Sequence, residues 1–250
     1  MLPAERHRHI LLEARGTGNV RTAELARKFD VAEETVRRDL DLLAKRGQLT
    51  RTHGGALDPS AHLAELSQNE REALQADEKG SIAHRAVDLV NEGETLLLDA
   101  SSTALEFSSK LPPGIRVVSY SLAVMERLAP RGDLELLQLG GSYEPKGRRF
   151  SGFLTESAVL SLRIDRFFFS GRGFDLELGI SEPNPEQARL KSLMLRHANW
   201  SCALLDHTKL GLRSDYFFAK PHEFDALVTD GESKAFFRGK AKSLPFQLFT

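Results

Sequence analysis

Residues 31–57 read VAEETVRRDLDLLAKRGQLTRTHGGAL, and this stretch indicates how the first part of the chain folds. Val36, Leu40 and Leu43 recur at intervals of three and four residues, which predicts a helix over residues 33–46 with one apolar face. Gly47 ends that helix. The charged residues expected on its surface are Arg37, Arg38, Asp39 and Asp41.

The flanking segments extend this helix into a recognisable motif. Upstream, residues 5–15 predict a helix that ends at residues 16–18, and a second helix follows from Thr22, whose hydroxyl is expected to cap it. Two short helices joined by a break at residues 30–32, the second carrying adjacent arginines, are typical of a helix-turn-helix. Downstream, residues 48–56 predict a β-hairpin with a basic tip, which would form a wing.

A helix of this kind fits the major groove of DNA, and flanking cations neutralise phosphates. We expect Thr35 and Arg38 to face the groove, with Arg37, Arg51 and His53 mainly at the phosphate backbone. The full set of predicted DNA contacts is Thr22, Glu34, Thr35, Arg37, Arg38, Arg51 and His53. The alternative is a three-helix bundle with a solvated basic face.

Charge is distributed unevenly along the chain, whose net charge is −1. Residues 1–57 hold 11 basic and 8 acidic residues, and the remaining residues hold 23 basic and 27 acidic ones. A basic head on an acidic body favours contact between the head and a polyanion. With 250 residues, one or two domains are expected. We assign residues 1–57 to a DNA-binding domain, 58–77 to a linker helix and 78–250 to a ligand-binding domain.

The linker, DPSAHLAELSQNEREALQAD, has a polar helical pattern. It is either an exposed connecting helix or a helix that packs on the body or on a second subunit. Beyond it, short apolar runs alternate with helical stretches. The runs are residues 96–98, 117–118, 134–139, 167–169 and 203–205. Such alternation predicts an α/β fold with a mostly parallel sheet covered on both faces.

Ligands of such sheets bind at the carboxyl ends of the strands. The residues that follow the five runs are polar or small: Asp99, Ser101, Ser102 and Thr103; Ser119 and Ser121; Gly140 and Gly141; Ser170 and Arg172; and Asp206 and Lys209. Together they suggest a small, anionic, polyhydroxylated ligand, with Gly140 and Gly141 allowing it to approach the backbone. Taken singly, each group is equally consistent with ordinary helix caps and turns.

Residues 31–57 closely resemble the DNA-binding signature of the DeoR family of bacterial transcription regulators. The matching residues are Thr35, Arg37, Arg38, Asp39, Leu40, Gly47, Arg51, His53, Gly54, Gly55 and Ala56. The resemblance continues through the body. The positions that carry it are Lys79, Ile82, Ala83, Asp99, Ser102, Thr103, Ser121, Gly140, Gly141, Gly152, Asp165, Gly171, Gly173, Lys191, Asp206 and Lys209.

The chain departs from the family pattern at four positions. Ala32 replaces a capping Ser, Ser101 replaces Gly, Tyr120 replaces Asn, and Gln187 replaces a frequent Glu. Loss of the capping hydroxyl costs about 1 kcal/mol of helix stability, which Glu33 partly offsets through the helix dipole. The LDASST form of residues 98–103 looks most like fucose-operon regulators.

The resemblance implies a winged helix-turn-helix followed by a sensor domain with the fold of ribose-5-phosphate isomerase and CoA transferases, gated by a sugar phosphate. The implied effector site comprises Lys79, Asp99, Ser101, Ser102, Thr103, Ser119, Ser121, Gly140, Gly141, Asp165, Arg172 and Lys209. Hydroxyls would hold the phosphate, and Lys209 would pair with the phosphate or a sugar oxygen. Asp99, Asp165 and Asp206 would accept from sugar hydroxyls or hold Lys209 in place.

The function expected is a repressor of a carbohydrate operon, acting on double-stranded operator DNA as a homodimer or homotetramer. No enzyme activity, cofactor or metal is expected. The alternatives are an isomerase- or transferase-like enzyme with a DNA-binding head, and an architectural DNA-binding protein. The single cysteine, Cys202, and the lack of a long apolar run favour a cytoplasmic protein without a membrane span.

Overall fold

A computed structural model of the chain describes residues 2–58 and 67–250, which form two compact units, Met1–Leu74 and Gln75–Thr250. The predicted linker helix lies partly outside the described residues, at 59–66. Its described part contains a six-residue helix that starts with a capping box, in which Ser67 and Glu70 each bond the other's backbone N–H. The exact domain limits stay a prediction.

The first unit has the predicted winged helix-turn-helix. Its elements are α1 (Pro3–Thr17), β1 (Asn19–Arg21), α2 (Thr22–Phe29), α3 (Glu33–Lys45), β2 (Thr50–Thr52), β3 (Gly55–Leu57) and α4 (Gln68–Ala73). The hairpin β2–β3 gains β1 as a third antiparallel strand, in the order β1-β3-β2. Leu25, Val36 and Leu40 are fully buried in the core of this unit, as the helical spacing predicts.

One residue of α3 departs from its predicted position on the surface. Asp39 is buried, and it accepts hydrogen bonds from Arg6 Nε at 2.6 Å and from His7 Nε2 at 2.8 Å. Burial alone would raise the pKa of Asp39, but these bonds outweigh it and hold the pKa below its usual range. The surface prediction was wrong because the partners come from α1, more than thirty residues earlier in the chain.

The second unit is the predicted α/β domain. Its helices are α5 (Ala76–Val87), α6 (Ser102–Ser108), α7 (Leu122–Leu128), α8 (Phe153–Leu160), α9 (Pro185–His197) and α10 (Lys234–Phe237). Its strands are β4 (Thr95–Leu98), β5 (Arg116–Ser119), β6 (Glu135–Gln138), β7 (Ser142–Glu144), β8 (Arg149–Ser151), β9 (Arg166–Phe169), β10 (Gly173–Asp175), β11 (Gly179–Glu182), β12 (Trp200–Leu204), β13 (Tyr216–Ala219), β14 (Ala226–Val228) and β15 (Gln247–Phe249).

Seven of these strands form one parallel sheet in the order β15-β14-β12-β9-β4-β5-β6. The five predicted apolar runs are all strands of this sheet. Side chains alternate between its faces, so that Phe167 and Phe169 enter one apolar cluster and Phe168 enters the other. Both faces are covered, which explains why the strands are almost continuously apolar.

Two features outside the parallel sheet were not predicted. Strands β10, β11 and β13 form a small antiparallel sheet, and β7 pairs with β8 in a hairpin. The C-terminal segment packs on the body, because Phe237 and Phe246 are buried in the main cluster and β15 extends the sheet. Among the described helices, none is both long and apolar enough to cross a bilayer.

Candidate DNA interface and effector site

The first two turns of α3 carry the residues predicted to read DNA. The side chains of Arg37 and Arg38 are 54% and 79% exposed. Each lies one helical turn from an acidic residue: Arg37 contacts Glu33 at 3.1 Å and Arg38 contacts Glu34 at 3.3 Å. Exposed pairs of this kind contribute little to stability, so the guanidinium groups can exchange these partners for phosphates or bases. Ala32 provides no side-chain cap to α3.

The wing is fastened to α3 through Arg51. Its Nε contacts Asp41 at 2.7 Å, and another of its guanidinium N–H groups donates to the carbonyl of Gly55. Arg51 therefore has a structural role in addition to any contact with DNA. Gly55 is required here because a Cβ would lie 1.9 Å from the carbonyl oxygen of Val20 on the paired strand β1. His53 is exposed at the tip of the hairpin.

Thr22 does not fit its predicted role. It is 4% exposed, its hydroxyl has no hydrogen-bond partner among the described residues, and the N-cap of α2 is Arg21. Its backbone N–H donates to the carbonyl of Gly54 at 2.9 Å and so anchors the wing. Thr22 is thus a buried contact between α2 and the hairpin and offers no hydroxyl to DNA.

The carboxyl edge of the parallel sheet is built around a buried ion pair. Asp99, directly after β4, accepts from Lys191 Nζ at 2.9 Å and from the N–H groups of Ser101 and Ser170. Burial would raise the pKa of Asp99, but the charge of Lys191 and these hydrogen bonds hold the pKa below its usual range. Lys191 also contacts Glu182 at 2.5 Å. Burial would lower the pKa of Lys191, and the two carboxylates reverse that effect and raise it.

Ser170, at the end of β9, connects this pair to a second lysine. Its carbonyl accepts from Lys191 Nζ at 2.8 Å, and its hydroxyl accepts from Lys209 Nζ at 3.0 Å. Lys209 also lies 3.4 Å from the buried Asp206 at the end of β12. Lys79 on α5 is buried, and its charge helps to lower the pKa of Asp206 against the effect of burial. Lys79, Lys191 and Lys209 are thereby associated with the same edge of the sheet.

A histidine that was not among the predicted effector residues lies at the same edge, beside the end of β14. His207 Nδ1 lies 3.1 Å from Asp230, and Asp230 also accepts from the His207 backbone N–H at 2.7 Å. The hydrogen bond with Asp230 raises the pKa of His207 to about 9. Asp230 follows β14, a strand that was not predicted, so its place beside His207 could not be anticipated.

Several buried side-chain polar atoms near this edge have no hydrogen-bond partner among the described residues. They include the hydroxyls of Thr103 and Thr229 and both amide atoms of Gln187. Thr103 follows β4, Thr229 follows β14, and Gln187 lies one helical turn before Lys191 on α9. Leaving such a group unsatisfied costs about 1–3 kcal/mol, so each of these atoms calls for a partner such as a water or a ligand.

Other predicted effector residues are bonded within the protein. The Ser101 hydroxyl caps α6 and contacts Asp99 at 2.5 Å. The Ser119 hydroxyl donates to the Leu98 carbonyl, and the Ser121 hydroxyl caps α7. Ser102 is buried in the first turn of α6. The Arg172 backbone N–H donates to the Ser181 carbonyl, and its side chain is half-buried.

Two of the predicted roles change. Asp165 precedes β9 and bonds the backbone N–H of Thr95 at the start of β4. It therefore lies at the amino edge of the sheet, about 16 Å of strand away from Ser170, and cannot belong to a site at the carboxyl edge. Gly141 is required by the protein's own packing, because a Cβ would lie 2.3 Å from Thr155 Oγ1. Gly140 has open space at its Cβ position.

Comparison with known proteins agrees with these two units. Residues 6–61 match the DeoR-like helix-turn-helix domain, and residues 74–231 match the DeoR C terminal sensor domain. The chain belongs to the DeoR family. This DeoR-family protein is therefore a DNA-binding transcription regulator with a C-terminal sensor domain, as the resemblance implied. Its likeness to fucose-operon regulators stays a prediction.

The alignments with named relatives extend over most of the DeoR-family protein. It is 33% identical to the uncharacterized HTH-type transcriptional regulator YulB of Bacillus subtilis, over 92% of this chain and 90% of that one. It is 31% identical to the lactose phosphotransferase system repressor of Staphylococcus epidermidis, over 85% and 86% of the two chains. Ribose 5-phosphate isomerase A of Methanocaldococcus jannaschii matches 54% of each chain with 17% identity and a TM-score of 0.41, a similarity that has no bearing on function.

Proposed function

We propose that this protein represses a carbohydrate-catabolism operon and that a sugar phosphate bound in its sensor domain controls its affinity for operator DNA. The name of its relative in Staphylococcus epidermidis, a lactose phosphotransferase system repressor, supports the carbohydrate assignment. The observation that carries the effector assignment is the group of lysines and unsatisfied buried polar atoms at one edge of the sheet.

The chemistry of this edge suits a sugar phosphate. Lys209 has a side chain that is 20% exposed, and among the described residues Asp206 is its one charged partner, so it is the lysine best placed to meet a phosphate. Lys79 and Arg172 are further cations for the same role. Thr103, Gln187 and Thr229 would bond sugar hydroxyls, because each offers a neutral donor or acceptor that lacks a partner. Asp99 and Lys191 would hold the strand ends in position.

At the other end of the chain, Thr35 and Arg38 would contact bases, and Arg37 and His53 would contact phosphates. Arg38 has the most exposed of the α3 guanidinium groups and lies in the second turn of the helix, close to the end that enters the groove. One helix and wing cover only a few base pairs. Because specific binding must exceed non-specific binding by about 10³–10⁷, two or more copies would act together on one operator.

The first experiment identifies the DNA and the effector. Duplexes selected from a random library would give the operator, and the full-length protein would then be titrated against it with pentose phosphates, hexose phosphates, free sugars and inorganic phosphate. We expect one sugar phosphate to change operator affinity, with no effect from the matching free sugar. Failure to select any duplex would refute the DNA-binding role, and selection without a response to any sugar phosphate would refute the effector.

We further propose that the sensor domain binds its ligand without converting it, and that the protein acts in the cytoplasm, where operator DNA is found. A sugar phosphate incubated with the protein should be recovered unchanged by chromatography after it has raised the thermal stability of the fold. Formation of an isomer at a rate proportional to protein concentration would instead support the isomerase-like alternative.

A further inference from the structure

Helix α8 exposes an apolar face to solvent. Phe153 is 78% exposed, Leu154 is 67% exposed and Leu160 is 56% exposed. With the exposed Ser157 they occupy positions i, i+1, i+4 and i+7, which lie on one side of a helix. We call these four residues the α8 face. Within the second unit, no described residue covers it.

The helix that carries this face is held firmly by its other side. Thr155 and Val159 are fully buried, and the Thr155 hydroxyl donates to the Gly140 carbonyl at 2.7 Å. Glu156 forms an ion pair with Arg189 on α9. The apolar side chains are therefore presented by an anchored helix, and their exposure is not the result of a loose helix end.

We propose that the α8 face pairs with the same face of a second copy of this chain about a two-fold axis. The proposal rests on the proposed function, since a regulator with one short recognition helix per chain needs at least two copies on its operator. It goes further by identifying the surface that joins them.

The size of the exposed surface suits a symmetric dimer. A large aromatic side chain offers roughly 150–250 Å² for burial, and Tyr143, on the hairpin that leads into α8, is also 45% exposed. Together these side chains expose several hundred Å², and a stable interface buries about 800 Å² on each partner, of which the apolar core is one part. Large exposed apolar patches mark interaction sites.

The charge of the surrounding surface favours a second copy over other partners. Glu156 is paired with Arg189, and Arg163 contacts Asp165 at 3.1 Å, so two identical surfaces would meet without repulsion. DNA or an anionic lipid surface would call for unpaired cations here.

In a two-fold interface the residue on the axis meets its own copy. Ser157 is the smallest residue of the α8 face and would let the two helices approach closely at that point.

The first test measures self-association of the full-length protein by sedimentation equilibrium, without DNA or sugar phosphate. Phe153→Ser and Leu154→Ser should each weaken dimerisation by about 30-fold or more, the loss typical of an anchoring apolar side chain. Phe217→Ser and Leu178→Ser are matched controls at other exposed apolar positions, 40% and 43% exposed, and should associate like the parent. Circular dichroism would verify that all four variants fold.

A second test uses a cysteine at the proposed axis. Ser157→Cys adds a surface thiol, and the native Cys202 is buried, so a short bismaleimide should join two Ser157→Cys chains. Ser109→Cys, at the exposed end of α6, should give little cross-linked dimer. A monomeric parent, unchanged association of the Phe153 and Leu154 variants, or equal cross-linking of both cysteine variants would overturn the proposal. Neither test uses DNA or effector, so such a result would not bear on the DNA-binding role. The duplex selection described above tests that role separately.

Discussion

At the scale of single residues, a substitution of Lys209 tests the proposed effector site most directly. Lys209→Met removes the charge and the bond to the Ser170 hydroxyl while keeping much of the side-chain length. Because a hydrogen bond to a charged group contributes about 1.5–3 kcal/mol, we expect the affinity for the sugar phosphate to fall by about 10- to 100-fold in calorimetry. Lys110→Met, beyond the far end of α6, is the matched control. Equal affinity of Lys209→Met and parent would remove Lys209 from the site.

His207 makes the stability of the sensor domain depend on pH. Asp230 raises the pKa of His207 to about 9 in the folded protein, above its ordinary value of 6.5. The stabilisation is therefore complete below about pH 6.5 and is lost as the pH rises through about 9. Denaturant titrations from pH 6 to 10 should show the free energy of unfolding falling in this window for the parent. The fall should be smaller for His207→Gln, and an identical pH profile for the two proteins would contradict this role of His207.

At the scale of elements, we predict that helix α3 divides its two arginines between base recognition and affinity. Arg38→Ala should cost about 1–3 kcal/mol on the selected operator and relax the preference among base pairs. Arg37→Ala should weaken binding to all sequences alike and reduce the salt dependence of the affinity, because it removes a phosphate contact. The measurement is a fluorescence titration on operator and scrambled duplexes at two salt concentrations. Indistinguishable effects of the two variants would show that this division is wrong.

The packing of α1 on α3 depends on the buried pair Arg6–Asp39. Asp39→Asn leaves the Arg6 charge buried without its counter-charge, which should cost the head about 3 kcal/mol. Since the folded-state pKa of Asp39 is lowered, its contribution is present above about pH 4 and is lost as the pH falls. Amide hydrogens in peptides from α1 and α3 should exchange faster in Asp39→Asn than in the parent. Peptides from β4 and β9 should keep the same protection in both proteins. Asp30→Asn is the control, since Asp30 is exposed and its left-handed backbone conformation accepts Asn.

At the scale of the whole molecule, the sugar phosphate and the operator should influence each other's binding. Coupling of this kind is typically about 1–3 kcal/mol and is reciprocal. If the effector weakens operator binding by some factor, saturating operator should weaken effector binding by the same factor. Calorimetry of the effector with free protein and with operator-bound protein measures this change in effector affinity. Identical effector affinity in the two states would mean that the ligand does not regulate DNA binding.

Local sequence patterns were sufficient to predict the helix-turn-helix of residues 1–57 and the central strands of the parallel sheet. The spacing of Val36, Leu40 and Leu43 predicted helix α3, and the apolar runs predicted β4, β5, β6, β9 and β12. Local sequence was insufficient for β14 and β15, because each strand has only three residues, too few to establish a periodic pattern. The motif residues at the strand ends were predicted to converge, and most of them do, because the carboxyl ends of parallel strands share one edge.

By itself, the sequence determined the family, the two-part organisation and the type of each domain, because those depend on periodicity and motifs that lie close together along the chain. Only the tertiary structure decided which charged residues are buried and with which partners. Asp39 finds its partner on α1, Lys191 meets Asp99 across more than ninety residues, and Asp165 lies at the edge opposite the site. A charged side chain is tolerated in the interior only where a partner is supplied, and the partner comes from whichever distant segment the fold packs beside it.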